Sequence, residues 1–272
     1  MKLLPLVTIC ALFFISCDDP SLDQQGDVDE IVDPIENLME LSSIQIAQGT
    51  FNNVTDNIDL VYNNDGLVAQ VLFTGTTSVS YNMEYASNNR LETITKVDVN
   101  TVIYNFTYDE DFVLVNFTDS NGDEVEMQLF TDTQNRINRV LTTVTDVSGV
   151  ATQSEDLRYL YNANFNVDRI NSLAFNGFTV NAYSELTYEF NNNPFRDMND
   201  VLRLLIFPEF VPYTRYVPIT RENFTAASSS FTLENSFSFI YTLREDEFPS
   251  SREVVKTESG VSTTTFEIFN YL

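Results

Sequence analysis

Apolar and polar residues alternate along most of this chain. Val79, Tyr81, Met83 and Tyr85 interleave with Ser78, Ser80, Asn82 and Glu84, and Val102, Tyr104, Phe106 and Tyr108 repeat the pattern. Leu186, Tyr188 and Phe190 continue it, as do Phe237, Phe239, Tyr241 and Leu243. A period of two puts one face of a strand in a core and the other in water. Between the runs lie Asn63-Asn64-Asp65-Gly66, Ser87-Asn88-Asn89, Ser120-Asn121-Gly122 and Ser148-Gly149. These residues accept positive φ or bond their own backbone, so they close hairpins. Tyr62, Tyr85 and Tyr108 recur every 23 residues, and the next step falls on Phe130-Thr131. Each is followed by a polar turn and an aliphatic residue (Leu67, Leu91, Leu114, Ile137), with Tyr161 and Ile170 as a longer copy. A strand–turn–strand unit at fixed spacing predicts a meander whose hairpins lie side by side to bury their faces.

One segment departs from the alternation. Asn193 before Pro194 reads as a cap with proline in the first turn, and Met198, Val201, Leu202 and Leu205 follow at helical spacing. This predicts one helix over about 195–207, with Pro208, Pro212 and Pro218 marking a loop back to the sheet. The expected fold class is mainly β: an antiparallel hairpin meander curling into an open barrel or curved sheet, with one packed α-helix that covers a sheet face or plugs an open end. The expected domain is 41–272.

The first residues have the organisation of a secretory signal, residues 1–16: Lys2, an apolar stretch from Leu3 to Ile15, and the small residue Ser16. The apolar stretch is shorter than the about 20 residues that span a bilayer as a helix. Cys17 directly after Ser16 resembles the lipobox of bacterial lipoproteins, in which the cysteine thiol receives a diacylglyceryl group before cleavage. Phe14 and Ile15 differ from the residues usual at those positions. Residues 17–40 are polar and acidic, with no Lys or Arg, and read as an extended tether. Ser16-Cys17-Asp18-Asp19 also resembles the start of Bacteroidetes-type lipoproteins, which implies an outer-membrane, surface-exposed destination.

Composition narrows the chemistry. The chain has 14 Lys and Arg against 40 Asp and Glu, a net charge of −26, and this disfavours nucleic acid and electrostatic docking to anionic lipid. It has no histidine, and its two cysteines, Cys10 and Cys17, both precede the predicted domain. The usual neutral-pH base, the Ser-His-Asp arrangement and thiolate metal sites are therefore missing from the domain. The 8 glycines form no phosphate-binding or dinucleotide-binding motif. Asp119-Ser120-Asn121-Gly122-Asp123-Glu124 has the wrong order for a calcium loop and reads as a hairpin turn. No catalytic residue, metal site or cofactor is predicted. Tyr213 and Tyr216, outside the alternation and between Pro212 and Pro218, are the candidate binding residues.

The tyrosine hairpins, Asn193-Pro194-Phe195 opening a helix, the proline-rich loop and the closing Phe248-Pro249 with Thr263-Thr264-Thr265-Phe266 resemble a group of Bacteroidetes-type surface lipoproteins of unknown function. The hairpins also loosely resemble tyrosine–aspartate (YD) repeats, although the pair itself occurs once, at Tyr108-Asp109. The expected function is a non-enzymatic binding or structural module, anchored to the outer membrane by lipid and meeting a protein or glycan partner. The alternative is a periplasm-facing carrier with an apolar groove for a lipid or lipoprotein. A glycan hydrolase built on two carboxylates ranks third, because two suffice for that reaction.

Overall fold

The computed structural model describes residues 40–207, 214–228 and 230–272. The predicted signal peptide, Cys17, the tether up to residue 39, and Tyr213 lie outside the described residues. In the first half the strands are β1 (Leu41–Gln48), β2 (Val54–Tyr62), β3 (Val68–Thr74), β4 (Val79–Tyr85), β5 (Leu91–Val97), β6 (Thr101–Tyr108), β7 (Phe112–Thr118) and β8 (Glu124–Thr131). In the second half they are β9 (Ile137–Thr145), β10 (Ala151–Tyr161), β11 (Val167–Leu173), β12 (Val180–Asn192), β13 (Tyr216–Ala227), β14 (Ser230–Leu243), β15 (Pro249–Glu258) and β16 (Val261–Tyr271). The single described helix, α1 (Asp200–Ile206), lies between β12 and β13.

Every strand pairs antiparallel with its neighbours in sequence, and β1 closes onto β16 through pairs such as Ile44↔Phe269. The expected meander therefore closes into a 16-stranded barrel, and closure removes the unpaired edges that an open sheet exposes. One rim holds the ends of the even strands, the starts of the odd strands, α1, and both Glu40 and Leu272, which are joined by a 2.9 Å backbone bond. The opposite rim, here the far rim, holds the turns after the odd strands.

The turns explain the register. Asn63, Asp119, Asp132, Asp146 and Asn162 each accept, on one side-chain oxygen, the backbone N–H groups two and four residues on, at 2.8–3.1 Å. Three residues on, the backbone turns left-handed, at Gly66 (φ 73°), Gly122, Asn135, Gly149 and Phe165 (φ 64°). This five-residue turn pairs Tyr62 with Val68 and Tyr161 with Val167, and Tyr108 pairs with Val113. The residues paired with these tyrosines are thus Val68, Val113 and Val167. A one-residue slip changes the face on which a side chain stands.

The tyrosines lock the α1 rim. Tyr62, Tyr85, Tyr108, Tyr161, Tyr188, Tyr241 and Tyr271 each donate from the hydroxyl to a backbone carbonyl near the start of the preceding strand, at 2.6–3.1 Å. The acceptors are Leu41, Val68, Leu91, Ile137, Val167, Pro218 and Pro249. The β7–β8 pair ends on Thr131 and lacks this tyrosine.

Inside the barrel, Ile44, Val71, Leu91, Ile94, Val115, Leu129 and Val167 are fully buried and form one cluster with α1. A barrel of about 16 strands leaves an open channel unless something fills it. Here Val201, Leu202 and Ile206 fill it from the helix, and Phe207 crosses to within 6.1 Å of Phe73 on β3 and 5.1 Å of Phe195. The helix is shorter than the predicted 195–207. The Asn193 side chain first caps Phe195 N–H in a separate turn, and Asn199 then caps Val201 and Leu202.

Candidate functional site in the barrel lumen

Above α1, on the side of β8–β14, the packing gives way to a cavity of about 390 Å3. Leu204 of α1 forms its floor, and Met127, Val140, Leu157 and Ile170 form an apolar wall. Ser172 and Ala182, near the far-rim ends of β11 and β12, mark its upper end. The opposite wall is polar. Arg221 Nε donates to Asn223 Oδ1 at 3.0 Å, the Ser184 hydroxyl donates to the same oxygen, and Asn223 Nδ2 donates to Asn235 Oδ1 at 2.6 Å.

Glu155 enters this cavity from β10 because the register shifts between Gln153 and Glu155. That shift turns Glu155 inward with Leu157 and Tyr159. It sends Asp156 to the outer face, where Arg139 holds it with two bonds of 2.8 and 2.9 Å. Directly opposite Glu155 in the register stands Thr142, 8% exposed, whose buried hydroxyl has no hydrogen-bond partner among the described residues. Partial desolvation raises the carboxyl of Glu155, an exposed residue, above the usual carboxylate range, and burial with the Glu155 charge raises the Tyr159 hydroxyl. Further round the lumen, Arg252 donates from Nε to Glu267 at 2.9 Å; the two are 6% and 7% exposed, and Arg252 lies over the Phe239 ring.

Tyr216, one of the two residues singled out from sequence, starts β13 on the α1 rim and lines a separate groove of about 330 Å3. Its backbone N–H is held by Asn166 at 3.0 Å, and its ring meets Phe190 edge-on at 5.2 Å. Phe190, expected on the core face of its strand, is 71% exposed, because the register breaks between Tyr188 and Asn192. A larger hollow of about 600 Å3 across β6–β8 is mostly lined by Thr, Asn and Glu, Glu124 and Glu126 among them. Asp119 is occupied by its own turn, and the backbone bond from Asp123 holds its carboxyl below the usual range. Among the described residues no cluster of three or more acidic, histidine or cysteine side chains is placed to hold a metal.

No family model and no curated protein matches this chain. Among solved structures, the barrel is similar to a porin-like protein from Bacteroides uniformis. The TM-score is 0.53 at 13% identity, over 85% of this chain and 98% of that one. A porin-like protein from Bacteroides vulgatus is matched at TM-score 0.42 and 13% identity, over 86% of this chain and 99% of that one. What the Bacteroides uniformis protein shares with this chain is the fold.

The polarity of the present barrel differs from that of a lipid-facing one. Outward positions carry Asn57 and Asp59 on β2, Ser80, Asn82 and Glu84 on β4, Glu126 and Gln128 on β8, and Glu185, Thr187 and Glu189 on β12. They bond across strands, as in Gln70–Asn82 at 2.9 Å, Glu84–Thr93 at 3.1 Å and Thr187–Thr220 at 2.6 Å. A membrane barrel turns an apolar band about 25 Å tall outward and keeps polar groups inside. Its strands need about 9–11 residues to cross, whereas β3, β4, β5, β7 and β11 have 7.

Proposed function

We propose that this chain is an exported lipoprotein, held at the outer membrane by lipid on Cys17, whose barrel is a non-enzymatic binding module outside the bilayer. The observation that carries this reading is the polarity of the barrel. Its buried apolar residues lie in the interior and on α1, and its outer face carries carboxylates in mid-strand among scattered exposed apolar residues such as Val61, Leu160 and Ile240. A barrel of this kind gains nothing from lipid and needs a separate anchor to stay at a membrane. Glu40, where the described chain enters the barrel, lies on the α1 rim. Surface exposure and a protein or glycan partner belong to this proposal; a cofactor, a metal and nucleic acid do not. The carrier alternative loses support because the space against α1 is packed and the remaining cavity has a polar wall.

The test is fractionation of cells expressing the full chain or Cys17→Ser. The lipoprotein reading expects the native chain in the outer-membrane fraction and the variant in the soluble fraction. A variant that stays with the membrane through carbonate and salt washes overturns it. Protease treatment of intact cells then separates surface from periplasmic exposure, and complete protection overturns the surface assignment.

A further inference from the structure

On the α1 rim, near the end of β12, the ring of Phe190 is 71% exposed. The Tyr216 ring meets it at 77°, with 5.2 Å between centroids, which fixes the ring while most of its surface stays in water. Both rings line the open groove of about 330 Å3 described above, whose other side is the β10–β11 turn from Asn162 to Asn166. Asn166 lines the groove and is 1% exposed. Its Oδ1 accepts from the Tyr216 N–H at 3.0 Å, and its Nδ2 donates to no described residue. A side-chain amide nitrogen carries two N–H donors, and burying them without an acceptor costs stability. A groove that joins such a buried donor to a bare aromatic ring has unused bonding and unused apolar surface in one place.

The rest of the lining adds acceptors to that donor. Asp168 Oδ1 accepts from Asn162 at 2.7 Å and Glu189 Oε2 from Asn191 at 3.2 Å, which leaves the second oxygen of each without a bond among the described residues. The exposed Asn164 side chain, likewise unbonded, offers both N–H and C=O. Donors and acceptors set around a flat apolar ring suit a ligand with hydroxyls, each able to give and take a hydrogen bond, around a skeleton that has an apolar C–H face. A sugar ring is built that way. An organic cation would use the carboxylates but leave the Asn166 donors unanswered. Anionic sugars are disfavoured, because two carboxylates and no described Lys or Arg line the groove, Arg215 lying instead against the Tyr216 ring at 5.6 Å. At roughly 30 Å3 per water molecule the groove holds about eleven, room for one sugar ring. Asn164, Asp168, Glu189 and Phe190 are all exposed, so the rest of a glycan chain can continue into solvent.

We propose that this groove binds a neutral glycan, one sugar ring stacked on Phe190 with its hydroxyls on Asn166, Asp168 and Glu189. This deepens the binding-module reading and rests on it, but it is independent of how the protein is anchored. The full mature chain carrying Cys17→Ser is applied to an array of oligosaccharides: neutral chains of glucose, mannose, galactose, xylose and N-acetylglucosamine, and uronate-bearing and sialylated chains. The strongest neutral binder is then titrated by calorimetry beside the anionic chains and free lysine. A neutral chain is expected to bind at least about tenfold more tightly than either. Phe190→Ala should lower that affinity by at least about tenfold. Asn166→Asp keeps the acceptor for Tyr216 and removes the donors, and should lower it by about the same factor. Phe175→Ala removes a ring that is 69% exposed on the far rim and should change nothing. Circular dichroism confirms that each variant is folded; if Asn166→Asp fails to fold, Phe190→Ala carries the comparison. No neutral chain bound on the array, tighter binding of uronate chains or lysine, or an affinity indifferent to Phe190→Ala or to folded Asn166→Asp overturns the proposal. Fractionation of Cys17→Ser reports on the anchor alone, so failure of one reading is not mistaken for failure of the other.

Discussion

The hydroxyl of Tyr85, at the end of β4, donates to the backbone carbonyl of Val68, the first residue of β3, at 2.7 Å. Six further tyrosines make the same bond around the α1 rim, so the 23-residue spacing of Tyr62, Tyr85 and Tyr108 is the spacing of a repeated latch. Tyr85→Phe keeps the ring and removes the bond, so it should cost about 0.5–1.5 kcal/mol in urea unfolding, with little change in the slope. Burial pushes the Tyr85 hydroxyl up to about 12, so the folded barrel holds this proton more tightly than the unfolded chain does. Its contribution is complete below the unfolded value of 10.0 and is lost as pH rises through about 12. Stability should therefore fall steeply above pH 10, and less steeply in Tyr85→Phe; an unchanged alkaline profile would sink the latch.

Much of this architecture was legible because the alternation in β4, β6 and β14 is local. Closure was not, since it joins β1 to residues more than 200 positions away and the bulge between Leu41 and Ser43 breaks the alternation of β1. The helix began later than its pattern suggested because Asn193 and Asn199 make two caps in succession, each satisfying donors the other cannot reach. Glu155 escaped notice for a related reason. In Ser154-Glu155-Asp156-Leu157 either acid fits an outward position, and only the register shift next to Gln153 turns one inward. Tyr216 could be singled out, but its partner Phe190 looked like the next core residue of a strand.

The turn at Asn162 to Asn166 shows what a sequence reading of turns misses. Phe165 holds φ at 64° in the position that Gly66, Gly122 and Gly149 fill elsewhere, and it is half exposed. A left-handed backbone costs most side chains roughly 1–2 kcal/mol, whereas Gly and Asn adopt it readily. Phe165→Asn should therefore stabilise the barrel by up to about 1 kcal/mol, the lost contact to Arg136 offsetting the rest. A lower midpoint in thermal or urea unfolding would contradict this account of the turn.

The pair Arg252–Glu267 predicts a larger effect. Both side chains are almost fully buried on facing strands, and the guanidinium makes two bonds to one carboxylate oxygen. Glu267→Gln leaves a buried cation without its counter-charge and should cost about 3–5 kcal/mol. Replacing both residues with apolar ones of similar volume, Arg252→Met with Glu267→Leu, should recover most of that loss. A double variant no more stable than Glu267→Gln would mean that the pair supports the barrel in some other way.

Glu155 gives the opposite sign. Partial desolvation holds the carboxyl of this exposed residue above the usual range, and the groups near it are the neutral Thr142, the Tyr159 hydroxyl, and Arg221 and Glu234 across the cavity. The folded barrel therefore binds this proton more tightly than the unfolded chain, and the resulting stability is complete below the unfolded carboxylate pKa. It is lost as pH rises through the raised folded value, so at neutral pH the ionised carboxylate weakens the fold. Glu155→Gln removes the ionisation while keeping the shape. The variant should match the native protein at acidic pH and exceed it at pH 7, as read from paired urea titrations across that range. A structural role that needs the charge predicts the reverse, a variant less stable at pH 7 than the native chain.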